Sequence, residues 1–301
     1  MDQSLPPAPV DSATLILLRE DAPGGMEVLL VERHAESRAF AGAHVFPGGC
    51  IDPGDCDPLS LQAYTRLIPQ AAAARLGGDL PPPAALAFWI AAIRELFEET
   101  GILLASQGGR PLDLADPARR TRFQEHRAAL LGAHLTFADL VSSERLRLAT
   151  DEIEYFGRLI TPVHAPRRYD TRFFVGRLPL GQEPVHDRRE TIAALWSRPA
   201  EALEKARSGA ILLAPPTLRM LEELRDLGST ANVLREARNR CAAPILPKLV
   251  EVAGRPVILY PGDADYARAV PGQPLPESMP GPRDRAVMDG TGWRSVRSRL
   301  D

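Results

Sequence analysis

One stretch constrains this chain more than any other. Ten apolar residues, Ala84 to Ile93, run without a break into Arg94-Glu-Leu-Phe-Glu-Glu-Thr-Gly-Ile102. At about 100° per residue, a helix beginning near Ala84 places Leu86, Ile90, Ile93 and Phe97 on one narrow face. Glu95, Glu98 and Glu99 gather on roughly the opposite face. Gly101 is the αL-tolerant residue that commonly stops a helix. Three neighbouring carboxylates repel one another, so such a face costs stability unless cations sit among them. Two readings are open: a solvated acidic face, and a site for a hard divalent cation that takes oxygen ligands.

The bulk properties narrow the field. At 301 residues, 45% hydrophobic and 25% charged, the chain has an ordinary globular composition and room for one large domain or two small ones. A net charge of −3 argues against nucleic acid as the main partner, because binding a phosphate backbone needs a basic surface. Cys50, Cys56 and Cys241 form no CxxC pair and no even disulfide framework, which fits a reducing compartment and passive packing roles. The first residues, Met-Asp-Gln-Ser-Leu-Pro-Pro, lack the basic and apolar regions of a signal peptide. The ten-residue apolar run is half the roughly 20 needed to span a bilayer. Ser298-Arg-Leu300 would be a peroxisomal address at a C-terminus, but Asp301 follows it. We therefore expect a cytoplasmic protein with no membrane partner, and leave its oligomeric state open between monomer and homodimer.

Taken in order, Ala13–Arg19 and Met26–Arg33 read as strands of a hairpin across the turn signal 21–25. Phe46-Pro-Gly-Gly49 permits close backbone approach to a ligand, or a tight turn. A helix is expected over Leu59–Arg75. Another, over Asp116–Leu131, has Asp116 as its cap and Pro117 at its first position. Phe137–Leu148 reads as a helix, and 155–162 and 171–178 as strands. Between those strands lies a basic loop, 164–170, carrying Arg167 and Arg168. A short strand ends at Trp196, and helices follow over 199–208, 216–227 and 230–241, with Leu218, Leu221 and Leu224 as core. Leu249–Tyr260 resembles a hairpin across Gly254, and the Pro-, Gly- and Arg-rich tail, 261–301, reads as partly irregular. The six histidines form no HExxH-type pair; His44 is singled out by its place beside the Pro-Gly-Gly loop.

Arg94 to Ile102 also matches, at every specified position, the second half of the signature of the Nudix hydrolases, Gly-x5-Glu-x7-Arg-Glu-U-x-Glu-Glu-x-Gly-U, where U is apolar. Gly49 to Asp55 resembles the first half, with Asp in place of Glu. The family separates its halves by seven residues. Here 38 residues, 56 to 93, lie between Asp55 and Arg94, an insertion of 31. Long insertions of this kind are similar to those of the coenzyme A diphosphatases within the superfamily. A second motif agrees: Leu29-Leu30-Val31-Glu32-Arg33-His34, then Arg38, Gly42 and Phe46-Pro-Gly-Gly49, keeps the spacing of the coenzyme A signature. It departs from that signature at Val31 and His34.

The resemblance implies an α/β fold: the Nudix α/β/α sandwich with a mixed sheet, a helical insertion (56–83) inside the motif and extra C-terminal helices. It implies a Nudix domain over 1–245 and a C-terminal hairpin and tail over 246–301. It implies Mg²⁺ or Mn²⁺ held by Glu95, Glu98, Glu99 and the backbone near Gly49, with Glu95 and Glu98 catalytic and Arg94 orienting a carboxylate. Arg33, Arg38 and Gly48 would meet the substrate. Asp55, Glu190 and Arg168 are weaker candidates; Glu190 precedes a Trp-containing strand, where some members place a further carboxylate. The implied reaction cleaves coenzyme A or an acyl derivative. The alternatives are an ADP-ribose- or NADH-type diphosphatase, for which a proline where Pro117 stands is a marker, and a non-catalytic nucleotide-binding domain.

Overall fold

The structure is a computed structural model, and it describes residues 7–21, 25–36, 40–57, 61–185, 191–240, 243–275, 278–290 and 292–298. The expected first hairpin is present. β1 (Val10–Asp21) and β2 (Gly25–Arg33) pair antiparallel, Leu18 opposite Val28. Then come β3 (Ala43–Val45), β4 (Gly48–Cys50) and two 3-10 turns, Pro53–Cys56 and Leu61–Tyr64. Next are α1 (Pro69–Arg75), α2 (Pro82–Thr100), β5 (Ala105–Gln107), β6 (Arg110–Pro111), α3 (Pro117–Leu131), α4 (Phe137–Ser143) and β7 (Leu146–Leu148). β8 (Glu154–Ile160), β9 (Tyr169–Arg177), β10 (Thr191–Ser197), α5 (Pro199–Arg207), β11 (Leu212–Leu213), α6 (Pro215–Leu227) and α7 (Thr230–Asn239) follow. The chain closes with β12 (Lys248–Val252), β13 (Arg255–Leu259), β14 (Asp284–Asp289) and β15 (Gly292–Arg297).

A mixed sheet runs in the order β11-β3-β2-β1-β9-β8, with β10 also on β2 and β4 also on β1. β1 lies parallel to β9, Ser12 beside Thr171, and antiparallel to β2 and β4. β1 is covered on both sides, which is why it reads as a nearly continuous apolar run. Ala13, Leu15 and Leu17 pack with Leu86, Ile90 and Ile93 of α2. Ile16 and Leu18 point the other way, to Leu218, Leu221 and Leu224 of α6 and Val233 of α7. This is the expected α/β/α arrangement, with the C-terminal helices supplying the second outer layer. No helix of the described residues is long and apolar enough to cross a membrane.

Three expectations change. The helix over 59–75 is broken into a 3-10 turn and α1, because Pro69 starts α1 and holds Ile68 extended at φ −78, ψ 145. The helix over 137–148 stops at Ser143. Arg145 takes φ 52, and Leu146 and Leu148 then alternate inward as β7, paired with β5. The tail is not irregular where it is described: β14 and β15 extend the Lys248–Leu259 hairpin into a four-stranded sheet. That sheet is pinned by a buried network in which Asp263 and Asp265 both accept hydrogen bonds from Arg285. Ile258, Tyr260 and Ala286 also join the apolar cluster under α6.

Candidate active site

α2 begins at Pro82, inside the triple proline, where a missing N–H costs nothing, and ends at Gly101 with φ 75. Its charged end is not a solvated face. Arg94 and Glu99 are buried, and Glu95 and Glu98 are largely shielded. The cation needed among the carboxylates is Arg94 itself. Its Nη1 donates to Glu95 Oε1 at 2.8 Å and to Glu98 Oε1 at 3.3 Å, one turn on. Its other edge grips Asp55: Nε donates to Oδ1 at 3.0 Å and Nη2 to Oδ2 at 2.9 Å, while Nη2 also reaches the Cys50 carbonyl at 2.8 Å. Burial works against the guanidinium charge, but the hydrogen bond to Asp55 and the charges of Glu95, Asp55 and Glu98 outweigh it and raise the Arg94 pKa.

Asp55 is held in turn. It sits in the 3-10 turn after β4, almost fully buried, and accepts from the Asp52 backbone N–H at 2.8 Å. The two halves of the motif, separated by 38 residues, therefore meet directly.

The paired glycines form no tight turn. Gly48 and Gly49 are extended, opposite Thr14 and Ala13 of β1. A Cβ at Gly49 would lie 2.5 Å from the Glu95 carboxylate, and one at Gly48 would lie 2.5 Å from the Ala13 carbonyl. Glycine is required at Gly49 because the acid comes up against the strand itself. Gly48 also donates its N–H to Glu99 Oε2 at 3.3 Å.

Most of these groups open onto one cavity of about 460 Å³, while Asp55 and Glu99 are buried and are not part of its lining. Arg33, Gly48, Gly49, Arg94, Glu95 and Glu98 all line it, as sequence reasoning expects. Sequence reasoning misses Ser12, Thr14, Asp52, Tyr169, Thr171 and Thr217, which line it too. Ser12 and Thr14 carried a signal, since they are polar at alternate positions of an apolar strand. Tyr169 and Thr171 carried none, because parallel pairing with β1 is what brings them in. Burial raises the Glu98 carboxyl pKa, with Arg94 opposing. Cys50 is exposed at the cavity wall rather than passive filling, and desolvation of its thiol, with the charges of Glu95 and Asp52, raises its pKa.

Arg168 stands apart from the cavity lining, its guanidinium donating to the carbonyls of Thr161 and Pro7. Arg38 and Glu190 lie outside the described residues. His44 is buried in β3, its pKa lowered by burial, and is not part of the lining.

Among the described residues, no three His, Cys, Asp or Glu side chains converge on a metal-holding geometry. Arg94 holds Glu95 and Glu98 to itself. In kind the donors nevertheless suit a hard divalent cation: carboxylate oxygens, and a strand backbone at Gly49 against which Glu95 lies with no Cβ between them.

The family model of the NUDT19 Nudix domain matches residues 11–224. The chain belongs to this family. It is a Nudix hydrolase, and the helix carrying Glu95, Glu98 and Glu99 is its Nudix helix. The chain is 31% identical to the acyl-coenzyme A diphosphatase NUDT19 of Gallus gallus, over 84% of its own length and 79% of that protein. It is 27% identical to the Homo sapiens protein of the same name, over 80% of its length and 72% of the relative's. Among solved structures, a Nudix hydrolase from Alicyclobacillus acidocaldarius matches with a TM-score of 0.60 at 26% identity, covering 76% of this chain and 96% of that one.

Proposed function

We propose that this Nudix hydrolase cleaves the diphosphate bond of coenzyme A or an acyl derivative, giving 3′,5′-ADP and (acyl-)phosphopantetheine, with Mg²⁺ or Mn²⁺. The observation that carries the reading is the Arg94 clamp. It ties the buried Asp55 to Glu95 and Glu98, which stand at the wall of a cavity that Arg33 also lines. The chicken and human relatives are named as acyl-coenzyme A diphosphatases, which supports the same substrate class.

A diphosphate resists water because its anionic oxygens repel a nucleophile, so a catalyst must neutralise them and place a water in line. Glu95, Glu98, Glu99 and the Gly49 backbone would hold the cation, which supplies charge neutralisation and a more acidic water. Glu95 would take the proton of the attacking water. Arg94 sets the carboxylates' positions and, committed to them, does not serve the phosphate. Arg33 is the group that meets the phosphate, since its Nε is buried with no hydrogen-bond partner among the described residues, beside the cavity. A guanidinium fork matches phosphate oxygens. Arg38, five residues on, shares the role in this reading, and Gly48 lets the substrate approach the strand.

The partner is a small nucleotide rather than a nucleic acid, a reading supported by the net charge of −3 and by the gathering of the motif residues around one cavity. The test is product identification. Purified protein with Mg²⁺ and coenzyme A should release 3′,5′-ADP. Rapid cleavage of ADP-ribose or NADH with no 3′,5′-ADP from coenzyme A would reject the assignment in favour of the broader diphosphatase. The proline that marks ADP-ribose-cleaving members does not favour that alternative here. Pro117 starts α3, with Asp116 capping the Arg119 N–H at 2.8 Å.

A further inference from the structure

Among the aromatic residues lining the cavity, Phe40 is out of place by the rules of packing. Phe46 and Phe173 are buried in the apolar cluster beneath the cavity and form its floor. Phe40 is 45% exposed, lines the same cavity, and makes no ring contact with another aromatic among the described residues. Its backbone is at φ 52, a left-handed conformation that a bulky side chain rarely adopts. The turn fixes it there, with the Phe40 carbonyl accepting the Ala43 N–H at 3.0 Å and Gly42 at φ 68. Backbone strain at a bulky residue opposes folding, and its occurrence where the ring lines a cavity points to a residue held for a ligand.

We propose that Phe40 is the stacking platform for the purine base of the substrate. This rests on the reading of the substrate as an adenine nucleotide joined through its diphosphate to a flexible arm. The carboxylates and Arg33 occupy the cavity's charged part and account for the diphosphate. A flat exposed ring face is what a planar base needs, whereas a flexible arm gains little from planarity. Hydroxyls line the same cavity, with Ser12 Oγ and Thr171 Oγ1 hydrogen-bonded at 2.7 Å and Tyr169 also in the lining, and these provide polar partners for a ribose or base edge.

The experiment separates the two ends of the substrate. Calorimetric binding of 3′,5′-ADP, which keeps the base, and of phosphopantetheine, which lacks it, is compared for the wild type, F40A and F40W. F40A should weaken 3′,5′-ADP binding about tenfold or more and leave phosphopantetheine binding unchanged, and F40W should restore the nucleotide's affinity. Thermal melting confirms that the variants fold. Unchanged 3′,5′-ADP binding in F40A, a selective loss of phosphopantetheine binding, or a wild type that binds no adenine nucleotide would each overturn the proposal. A wild type that binds 3′,5′-ADP through Phe40 yet releases none from coenzyme A would refute the substrate reading and leave the platform standing.

Discussion

Asp55 and Arg94 face each other through two parallel hydrogen bonds, 3.0 and 2.9 Å long, although 38 residues separate them in the chain. The insertion leaves the motif after its first half and returns just before its second. The folded chain brings the two halves together across the insertion, with Asp55 meeting the guanidinium.

Replacing Asp55 by Asn should therefore cost stability as well as activity. The change leaves the buried Arg94 charge with weakened compensation, a class of defect that costs about 3–5 kcal/mol. Urea unfolding of D55N beside the wild type measures it. A midpoint within error of wild type would show that the pair contributes nothing to the fold.

The two glycines should separate fold from chemistry. In G49A the new methyl meets the end of a flexible acid, so Glu95 swings aside; turnover should fall about 100-fold with melting little changed. In G48A the methyl meets the Ala13 carbonyl, which cannot move without disturbing β1, so the melting temperature should drop by several degrees. Equal effects on both quantities in both variants would contradict this division.

Glu98→Gln keeps the size of the side chain and removes its charge. Turnover should fall roughly 100-fold or more, as when a group that stabilises developing charge is lost, with the fold retained. Full activity in this variant would place the cation elsewhere, and a wild type inert on every diphosphate tried would favour a binding domain.

The C-terminal sheet should be acid-labile. Asp265 is fully buried, which pushes its pKa up, but hydrogen bonds from Arg285, the Met279 N–H and Arg268 outweigh burial and hold it well below the usual range. A depressed native pKa adds stability that is complete above the unfolded value, about 3.9 for Asp, and is lost as pH falls below it. Protection of the β13 and β14 amides from hydrogen exchange, taken relative to the intrinsic rate at each pH, should fall from about pH 4 downward. In D265N that protection should be low already at neutral pH and nearly independent of pH. A flat wild-type profile between pH 6 and 3 would refute the role of the network.

What the sequence showed clearly was whatever repeats at a fixed period or matches a fixed spacing. The β1–β2 hairpin, α2 and its Gly101 stop, and the capped start of α3 are of this kind. Local rules failed where a single residue overrides its neighbours: Pro69 cuts one expected helix and Arg145 ends another. The tail hid its strands because proline and glycine dominate around them, while the Arg285–Asp263 contact that orders it joins residues far apart in the chain. At the site, the motif exposed the acids and Arg33. Further lining comes from β9 and the start of α6, and tertiary pairing alone brings those residues in. Arg168 was misleading in the other direction, a basic loop residue that closes on backbone carbonyls.

The parallel pairing of β1 with β9 also bears on how the enzyme is made. Every recognisable motif residue, from Leu29 to Ile102, leaves the ribosome before Tyr169 is synthesised. Until β9 has docked beside β1 and the first turn of α6 has followed, the cavity lacks the lining that Tyr169, Thr171, Phe173 and Thr217 supply. A nascent chain arrested at residue 168 would carry the full signature and lack the pocket. Catalytic competence in this protein is thus acquired late in translation, once strands made far apart in time have found each other.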